Sequence, residues 1–414
     1  MSTSERTFVI VGAALAGAKA AETLRSEGFD GRVVLIGNED VLPYERPPLS
    51  KEYLRGEAGP EVPRVHEADF YDQQHIDLRL GTQVQEVQTG SSEVTLASGE
   101  KVGFDRLLLA TGAEVRRLSL PGGDLDEVYY LRSMADSDRL RARLDAGGHA
   151  VVVGAGWIGA EVAASARQKG VDVTLLDPLT VPLERVLGPE VGGVYRDIHS
   201  DHGVDVRMET GVDAFEGGSR VERVRTVDGE TIDCDFVVVG VGVTPRVELA
   251  ERAGLSVDDG IRTDASLRTS VPNVFAAGDV ARADHPLIGQ SVRVEHWANA
   301  LEQGPAAARS MLGQSVIYDR VPYFFSDQYE VGMEYCGYPV RWDRVVFRGD
   351  PASREFIAFW MADERLVGAM NVNVWEVNDA LQSVIRAGGA VDEARLRDPD
   401  VPVEELVPAR ADAE

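Results

Sequence analysis

Three glycines, Gly154, Gly156 and Gly159, stand in the spacing G-x-G-x-x-G between an apolar run, HAVVVG, and a helix-forming run, AEVAASARQKG. A turn of this kind between strand and helix presents unpaired backbone N–H groups and the positive helix end to a pyrophosphate. The segment Gly154-Ala-Gly156-Trp157-Ile158-Gly159 is therefore a candidate dinucleotide site. A second copy, Gly12-Ala-Ala14-Leu15-Ala16-Gly17, follows the run TFVIV. It carries Ala14 in place of the middle glycine, and that methyl limits how closely the backbone can approach a phosphate. Each copy leads to an acid after the next apolar run, Glu39 after RVVLIGN and Asp177 after VTLL. A carboxylate there accepts hydrogen bonds from a ribose diol and repels a 2′-phosphate. The following PLTVPLE offers no Lys or Arg, so the second site is expected to take NADH rather than NADPH. Two such sites need two dinucleotides, the second being a flavin or another nicotinamide. Gly278-Asp279, at the end of VPNVFAAGD, favours FAD, because an Asp in that turn can bind ribityl hydroxyls that a nicotinamide cofactor lacks.

The elements that must position these residues are legible from pattern. Residues 7–36 and 149–176 each read as strand, Gly-rich turn, helix ended by glycine (Gly28, Gly170), and strand. This is an internal duplication of one βαβ unit. DRLLLATGA and DFVVVGVGVTPR read as buried strands running into turns, and Gly242 lies in the second. PYERPPLSK, at 43–51, reads as a proline-stiffened loop that is neither helix nor central strand. A helix is expected from about Asn299 to Leu312, kinked or restarted at Pro305. From about Val321 the composition turns aromatic and alternating, which predicts an antiparallel sheet followed by a short helix, NDALQSVIRAG. The acidic, Pro-containing stretch from Asp392 reads as a loosely held tail.

The chain has 414 residues, with Lys+Arg 42 against Asp+Glu 69, a formal charge of −27. That balance repels a phosphate backbone and an anionic membrane surface, so neither nucleic acid nor membrane is expected as a partner. No apolar run approaches the length of a transmembrane helix. The N-terminal MSTSERTFVIVG lacks the pattern of a signal peptide. Cys234 and Cys336 form no C-x-x-C motif. A cytoplasmic location is expected, and no metal site. His199-Ser-Asp-His202 reads as solvated surface in a polar loop, Cys234 as a small apolar residue, and Arg116-Arg117 as hinge surface or as local positive charge for an acidic carrier.

In order along nearly the whole chain, Gly12–Gly17, PYERPPLSK, ATG at 110–112, Gly154–Gly159 with Glu161, VGVGVTP, VFAAGDV and EHWANALEQG resemble the oxygenase-coupled NADH-dependent ferredoxin reductases of the putidaredoxin reductase type. The resemblance implies an α/β fold with two Rossmann-like dinucleotide-binding domains and a C-terminal α+β domain with an antiparallel sheet. It divides the chain into a discontinuous FAD domain (1–115 and 246–320), an NAD domain (116–245) and a C-terminal domain (321–414). It implies that Ala16, Asn38 and Glu39 hold the adenosine half of FAD. Arg46 and Lys51 approach the flavin, and Val84, Thr111, Gly112 and Arg132 make further contacts to FAD. Asp279 binds the ribityl chain, and Trp297 lies by the isoalloxazine. Glu161 stands beside the nicotinamide and pairs with Lys51, so these two are the catalytic candidates. Gly242 and Asp177 join the NAD site.

The same resemblance implies direct hydride transfer between NADH and the flavin, with no protein acid or base in the step. The helix opening at Trp297–Ala300 is the candidate for stabilising negative charge on the reduced ring. Electrons would pass to a small iron–sulfur ferredoxin and through it to an oxygenase. Related possibilities are a rubredoxin reductase or another flavoprotein NADH oxidoreductase, and more remotely an interaction protein resembling apoptosis-inducing factor. A disulfide reductase would need a cysteine near the flavin, and no Cys precedes Cys234. A monomer or weak homodimer is expected. The stretch NVNVW, with Trp375, departs from the usual family sequence near the flavin. Ferredoxins are themselves usually acidic, so the docking face should be less negative than the average surface.

Overall fold

The computed structural model describes residues 6–407. Residues 1–5, part of the N-terminal stretch read above, and 408–414, the end of the acidic stretch, lie outside the described residues. The chain divides into two compact units. The first comprises the residues up to Glu45 with Pro63–Glu114 and Thr244–Pro322, and the second Arg46–Val62, Val115–Val243 and the residues from Tyr323.

The first unit is built on five parallel strands in the order Val274–Ala276, Arg106–Leu109, Thr7–Val11, Arg32–Ile36 and Ile76–Arg79. The strands read as unbroken apolar runs because both faces of such a sheet are covered, and Val9, Ile10, Val33, Val34 and Leu107–Leu109 are fully buried. The helix Leu15–Ser26 follows the first Gly-rich turn. The helix Trp297–Met311 packs on it so closely that a Cβ on Gly304 would lie 2.4 Å from the carbonyl oxygen of Ala16. This helix is continuous through Pro305 and does not restart there as expected. An internal proline costs about 3 kcal/mol. Burial of Ala307, Ala308 and Met311 in the core of the unit holds the helix together nonetheless.

The second unit repeats the plan. Its parallel sheet runs Asp205–Arg207, Asp172–Leu176, His149–Val153, Phe236–Val239 and Val128–Tyr130, with the helix Trp157–Gln168 after the second Gly-rich turn. The duplication extends beyond the βαβ unit visible in the sequence. In each unit a three-stranded antiparallel meander, Val84–Gly103 or Val212–Asp233, is inserted before the strand that pairs with the other side of the central one.

The second unit also carries a five-stranded antiparallel sheet in the order Tyr323–Gln328, Val331–Gly337, Arg365–Val372, Glu355–Ala362 and Arg344–Asp350, followed by the helix Asn378–Ala387. The fold class is thus the expected one, two Rossmann-like sheets and a C-terminal antiparallel sheet. Two further local expectations need correction. The Pro-rich segment is not all loop. It forms a 3-10 turn, Pro47–Ser50, because prolines at the first helical positions lack only N–H groups that would be unbonded anyway; a short helix, Glu52–Arg55, follows the segment. The residues from Asp392 to 407 are not loosely held. The Arg348 guanidinium donates to the carbonyls of Arg395, Leu396 and Val401, and Leu396, Val403 and Leu406 are buried. Among the described residues no helix is long and apolar enough to cross a membrane.

Candidate functional site

The two Gly-rich turns are built alike. Gly12 and Gly154 adopt φ +117° and +101°, a left-handed backbone that a side chain disfavours. A Cβ on Gly17 or Gly159 would lie 1.9 or 1.8 Å from the carbonyl oxygen of the turn's first glycine, so each helix starts against its own strand. Ala14 and Gly156 are the N-caps. Neither cap supplies a side-chain hydrogen bond, and neither first turn contains an acid. The leading N–H groups of two 12-residue helices are therefore left for an external anion, the arrangement a pyrophosphate uses. Space in front of Gly156 is open, since a Cβ there would meet nothing within 4 Å. The residues present thus fit a dinucleotide at each turn.

In the first unit a cavity of about 420 Å³ opens beside the first turn, and Gly12, Asn38, Val84 and Thr111 line it. Leu15 and Ala16 are buried in the helix start. Glu39 accepts the Tyr44 hydroxyl at 2.7 Å. Thr111 donates to the carbonyl of Arg246 at 2.9 Å, and Gly112 takes φ +68°. Gly278 takes φ +78° and Asp279 follows it in a 3-10 turn, Gly278–Val280. The Gly278 N–H donates to the side-chain oxygen of the buried Gln303 at 2.9 Å. Trp297 opens its helix and donates its indole N–H to Glu45 at 3.0 Å; burial raises the Glu45 carboxyl above its ordinary range, opposed by that hydrogen bond. Gln303 and Glu45 escaped sequence reasoning, although both lie inside conspicuous motifs, EHWANALEQG and PYERPPLSK.

In the second unit Lys51 and Glu161 meet. Lys51 Nζ lies 2.8 Å from Glu161 Oε2, with side-chain exposures of 7 % and 5 %. Glu161 also accepts the hydroxyls of Ser50, on Oε2, and of Ser326, on Oε1 at 2.7 Å. Three donors from the Pro-rich segment and the antiparallel sheet thus converge on one buried carboxylate of the second dinucleotide helix. Asp327 stands near this cluster on the exposed face of its strand; partial loss of hydration raises its carboxyl while the Lys51 charge opposes that shift. Arg46 donates to the carbonyl of Arg132 at 3.1 Å, so these two candidates are also adjacent.

Asp177 is placed differently from a free ribose acceptor. Its two oxygens accept the backbone N–H groups of Ala155 at 2.8 Å and Leu179 at 2.9 Å, tying the acid to the Gly-rich turn itself. Trp157 packs its ring edge-on to Phe324 at 4.8 Å and to Tyr195 at 6.0 Å, whereas Ile158 is exposed at the helix start. Gly242 takes φ +98° and accepts the Arg116 N–H at 2.9 Å. Arg117 lies over the Tyr130 ring at 4.7 Å.

The His199–His202 segment corrects its sequence reading. Both residues are at the end of the helix Glu184–Asp201, and His199 is fully buried. His199 bonds Gln328 and Tyr329, and His202 stacks on Tyr329 and reaches Glu330. Tertiary contacts with a strand far away in sequence, unseen in the local polar pattern, place it inside. Among the described residues no group of three or more His, Cys, Asp or Glu could hold a metal ion. Cys234 is half-buried, with its thiol pushed up to about 12, chiefly by burial.

Residues 6–304 match the family model of pyridine nucleotide-disulphide oxidoreductases, and residues 323–407 match that of the reductase C-terminal domain. The chain is 42 % identical over 402 residues to the ferredoxin–NAD(+) reductase component of the anthranilate 1,2-dioxygenase system of Burkholderia cepacia, covering 95 % of this chain and 97 % of that protein. It is 38 % identical over 408 residues to putidaredoxin reductase of Pseudomonas putida, covering 97 % and 96 %. The crystal structure of the covalent putidaredoxin reductase–putidaredoxin complex superposes with a TM-score of 0.94 at 37 % identity, covering 99 % of each chain.

Proposed function

The chain belongs to the pyridine nucleotide-disulphide oxidoreductase family, and from that premise we propose that it is the NADH-dependent ferredoxin reductase of an oxygenase system. It takes electrons from NADH through a bound FAD and delivers them to a small iron–sulfur ferredoxin. The observation that carries this reading is the duplicated, uncapped helix start, one in each unit, joined in the second unit to the buried Lys51–Glu161 pair. The thiol chemistry in the family's name is not served here. Neither cysteine belongs to the first unit, and Cys336 is fully buried.

In this reading 1–115 and 246–320 form the FAD domain, 116–245 the NAD domain, and 321–414 the C-terminal domain. The turn Gly12–Gly17, with Asn38, Glu39, Val84, Thr111 and Gly112, holds the nucleotide half of FAD. Asp279 holds the ribityl chain, and Arg46, Lys51, Arg132 and Trp297 belong to the flavin end. Bound FAD supplies hydride acceptance and single-electron release, which side chains alone do not. The turn Gly154–Gly159 offers its N–H groups to the NADH pyrophosphate. Asp177 keeps that turn in shape and disfavours a 2′-phosphate, so NADH is preferred to NADPH. Glu161 holds the Lys51 ammonium at one place on the nicotinamide side, and this orients the reactants without a proton transfer. The partner is an acidic ferredoxin, received on a face less negative than the rest of a chain with charge −27. The protein works in the cytoplasm as a monomer or weak homodimer, with no role for nucleic acid or membrane.

Anaerobic titration tests the cofactor assignment. The purified protein should show flavin absorbance that is bleached by one equivalent of NADH and far more slowly by NADPH. Absence of flavin absorbance from a fully loaded sample contradicts it.

A further inference from the structure

Glu161 is the end of a longer buried chain. Ser326 donates to Glu161 Oε1 at 2.7 Å, and Gln328 Nε2 donates to Ser326 Oγ at 3.3 Å. Gln328 Oε1 lies 3.0 Å from His199 Nε2, and His199 Nδ1 lies 3.0 Å from the Tyr329 hydroxyl. Glu161, His199, Ser326 and Gln328 are all nearly inaccessible to solvent, at 5, 0, 1 and 1 %.

The donor and acceptor capacities fix every direction in this chain. A carboxylate only accepts, so the Ser326 O–H points at Glu161 and its lone pair is left for Gln328. The amide nitrogen of Gln328 therefore faces Ser326, and its oxygen faces His199. An amide oxygen only accepts, so His199 carries its proton on Nε2, and Nδ1 accepts from Tyr329. The opposite tautomer would turn the amide of Gln328, draw the Ser326 O–H away, and leave Glu161 one donor short. Burial holds His199 neutral, pushed down to about 4. The groups within electrostatic reach of the chain are Lys51 and Ser50 from the Pro-rich segment, Tyr195 from the helix Glu184–Asp201, His202 beside His199, Arg167 and Glu330 near Tyr329, and Asp327 on the opposite, exposed face of the strand.

We propose that His199 is a positioning residue: its Nε2–H tautomer, acting through Gln328 and Ser326, fixes the orientation in which Glu161 holds Lys51. This rests on the reading that Lys51 and Glu161 belong to the nicotinamide site. The interaction is cooperative and indirect, so its effect is modest beside loss of Lys51 itself.

The test uses the oxidised holoprotein. Ring 15N shifts of His199 in the unsubstituted protein should report a neutral ring protonated on Nε2 at pH 7; an Nδ1–H or doubly protonated ring overturns the proposal, and this result needs no variant to fold. The infrared carboxylate band of Glu161, identified by its loss in Glu161→Gln, should shift in His199→Met and return in His199→Gln, whose amide N–H can replace the Nε2 donor. Flavin reduction by saturating NADH should slow about threefold in His199→Met with an unchanged NADH dissociation constant, and recover in His199→Gln. An unmoved Glu161 band in a folded His199→Met overturns the proposal. The 15N and infrared measurements involve no NADH, so their failure is distinguishable from failure of the NADH-reductase reading, which would appear as an unsubstituted protein that NADH does not reduce.

Discussion

The ammonium of Lys51 and the carboxylate of Glu161 meet at 2.8 Å in a nearly solvent-free place, and two serine hydroxyls complete the coordination of the carboxylate. Removing one member of such a pair leaves the other buried and uncompensated, at a cost of about 3–5 kcal/mol. Lys51→Ala should therefore lower thermal stability and slow stopped-flow flavin reduction by about tenfold or more. The double variant Lys51→Met with Glu161→Leu removes both charges. It should regain most of the stability and none of the rate. An unchanged rate in Lys51→Ala would remove Lys51 from the site.

Asp177 ties down the second Gly-rich turn through the N–H groups of Ala155 and Leu179. Asp177→Ala should lose about 1–2 kcal/mol of stability through two unpaired N–H groups. It should also narrow the preference for NADH over NADPH, measured as the ratio of their kcat/KM values. An unsubstituted protein that uses both cofactors equally would contradict the specificity assigned to this acid.

Gly304 admits no side chain, because a Cβ there would press on the carbonyl oxygen of Ala16 at 2.4 Å. Gly304→Ala should force apart the helices Leu15–Ser26 and Trp297–Met311, at a cost of about 1–3 kcal/mol. The first of these helices opens at the Gly-rich turn assigned to FAD. The variant should release flavin more readily during gel filtration, whereas Gly90→Ala, in the same unit with open space at its Cβ and no left-handed backbone, should retain it.

Acid sensitivity follows from His199. Burial holds its folded-state value at about 4, below the ordinary 6.5. The unfolded chain then binds more protons between those values, so His199 contributes stability at neutral pH that is lost as pH falls from about 6.5 towards 4. His199→Gln should lessen the fall in thermal midpoint between pH 7 and pH 5. An identical pH slope in both proteins would contradict the buried neutral ring.

Local signals carried most of what the sequence revealed. Both Gly-rich turns, the parallel strands around them and the alternating C-terminal strands are each written in a short local run. The Lys51–Glu161 pairing came from family resemblance, since nothing local joins two residues on separate elements. The polar chain behind Glu161 was invisible for the same reason. Ser326 and Gln328 share one face of a strand at a period of two, which pattern could have revealed, but their partner His199 sits in a polar stretch that resembles surface. The turn at Pro47–Ser50 and the continuity of the helix through Pro305 went unread because proline signals a break locally, while helix-end chemistry in one case and tertiary packing in the other decide the outcome.

The most direct test of the whole account is ferredoxin-dependent electron delivery. Cytochrome c reduction driven by NADH should be slow with the protein alone and rise steeply, in proportion to concentration, when a [2Fe–2S] ferredoxin from the same source is added. Reduction by NADH of the bound flavin with no stimulation by any such ferredoxin would contradict the assignment as a ferredoxin reductase.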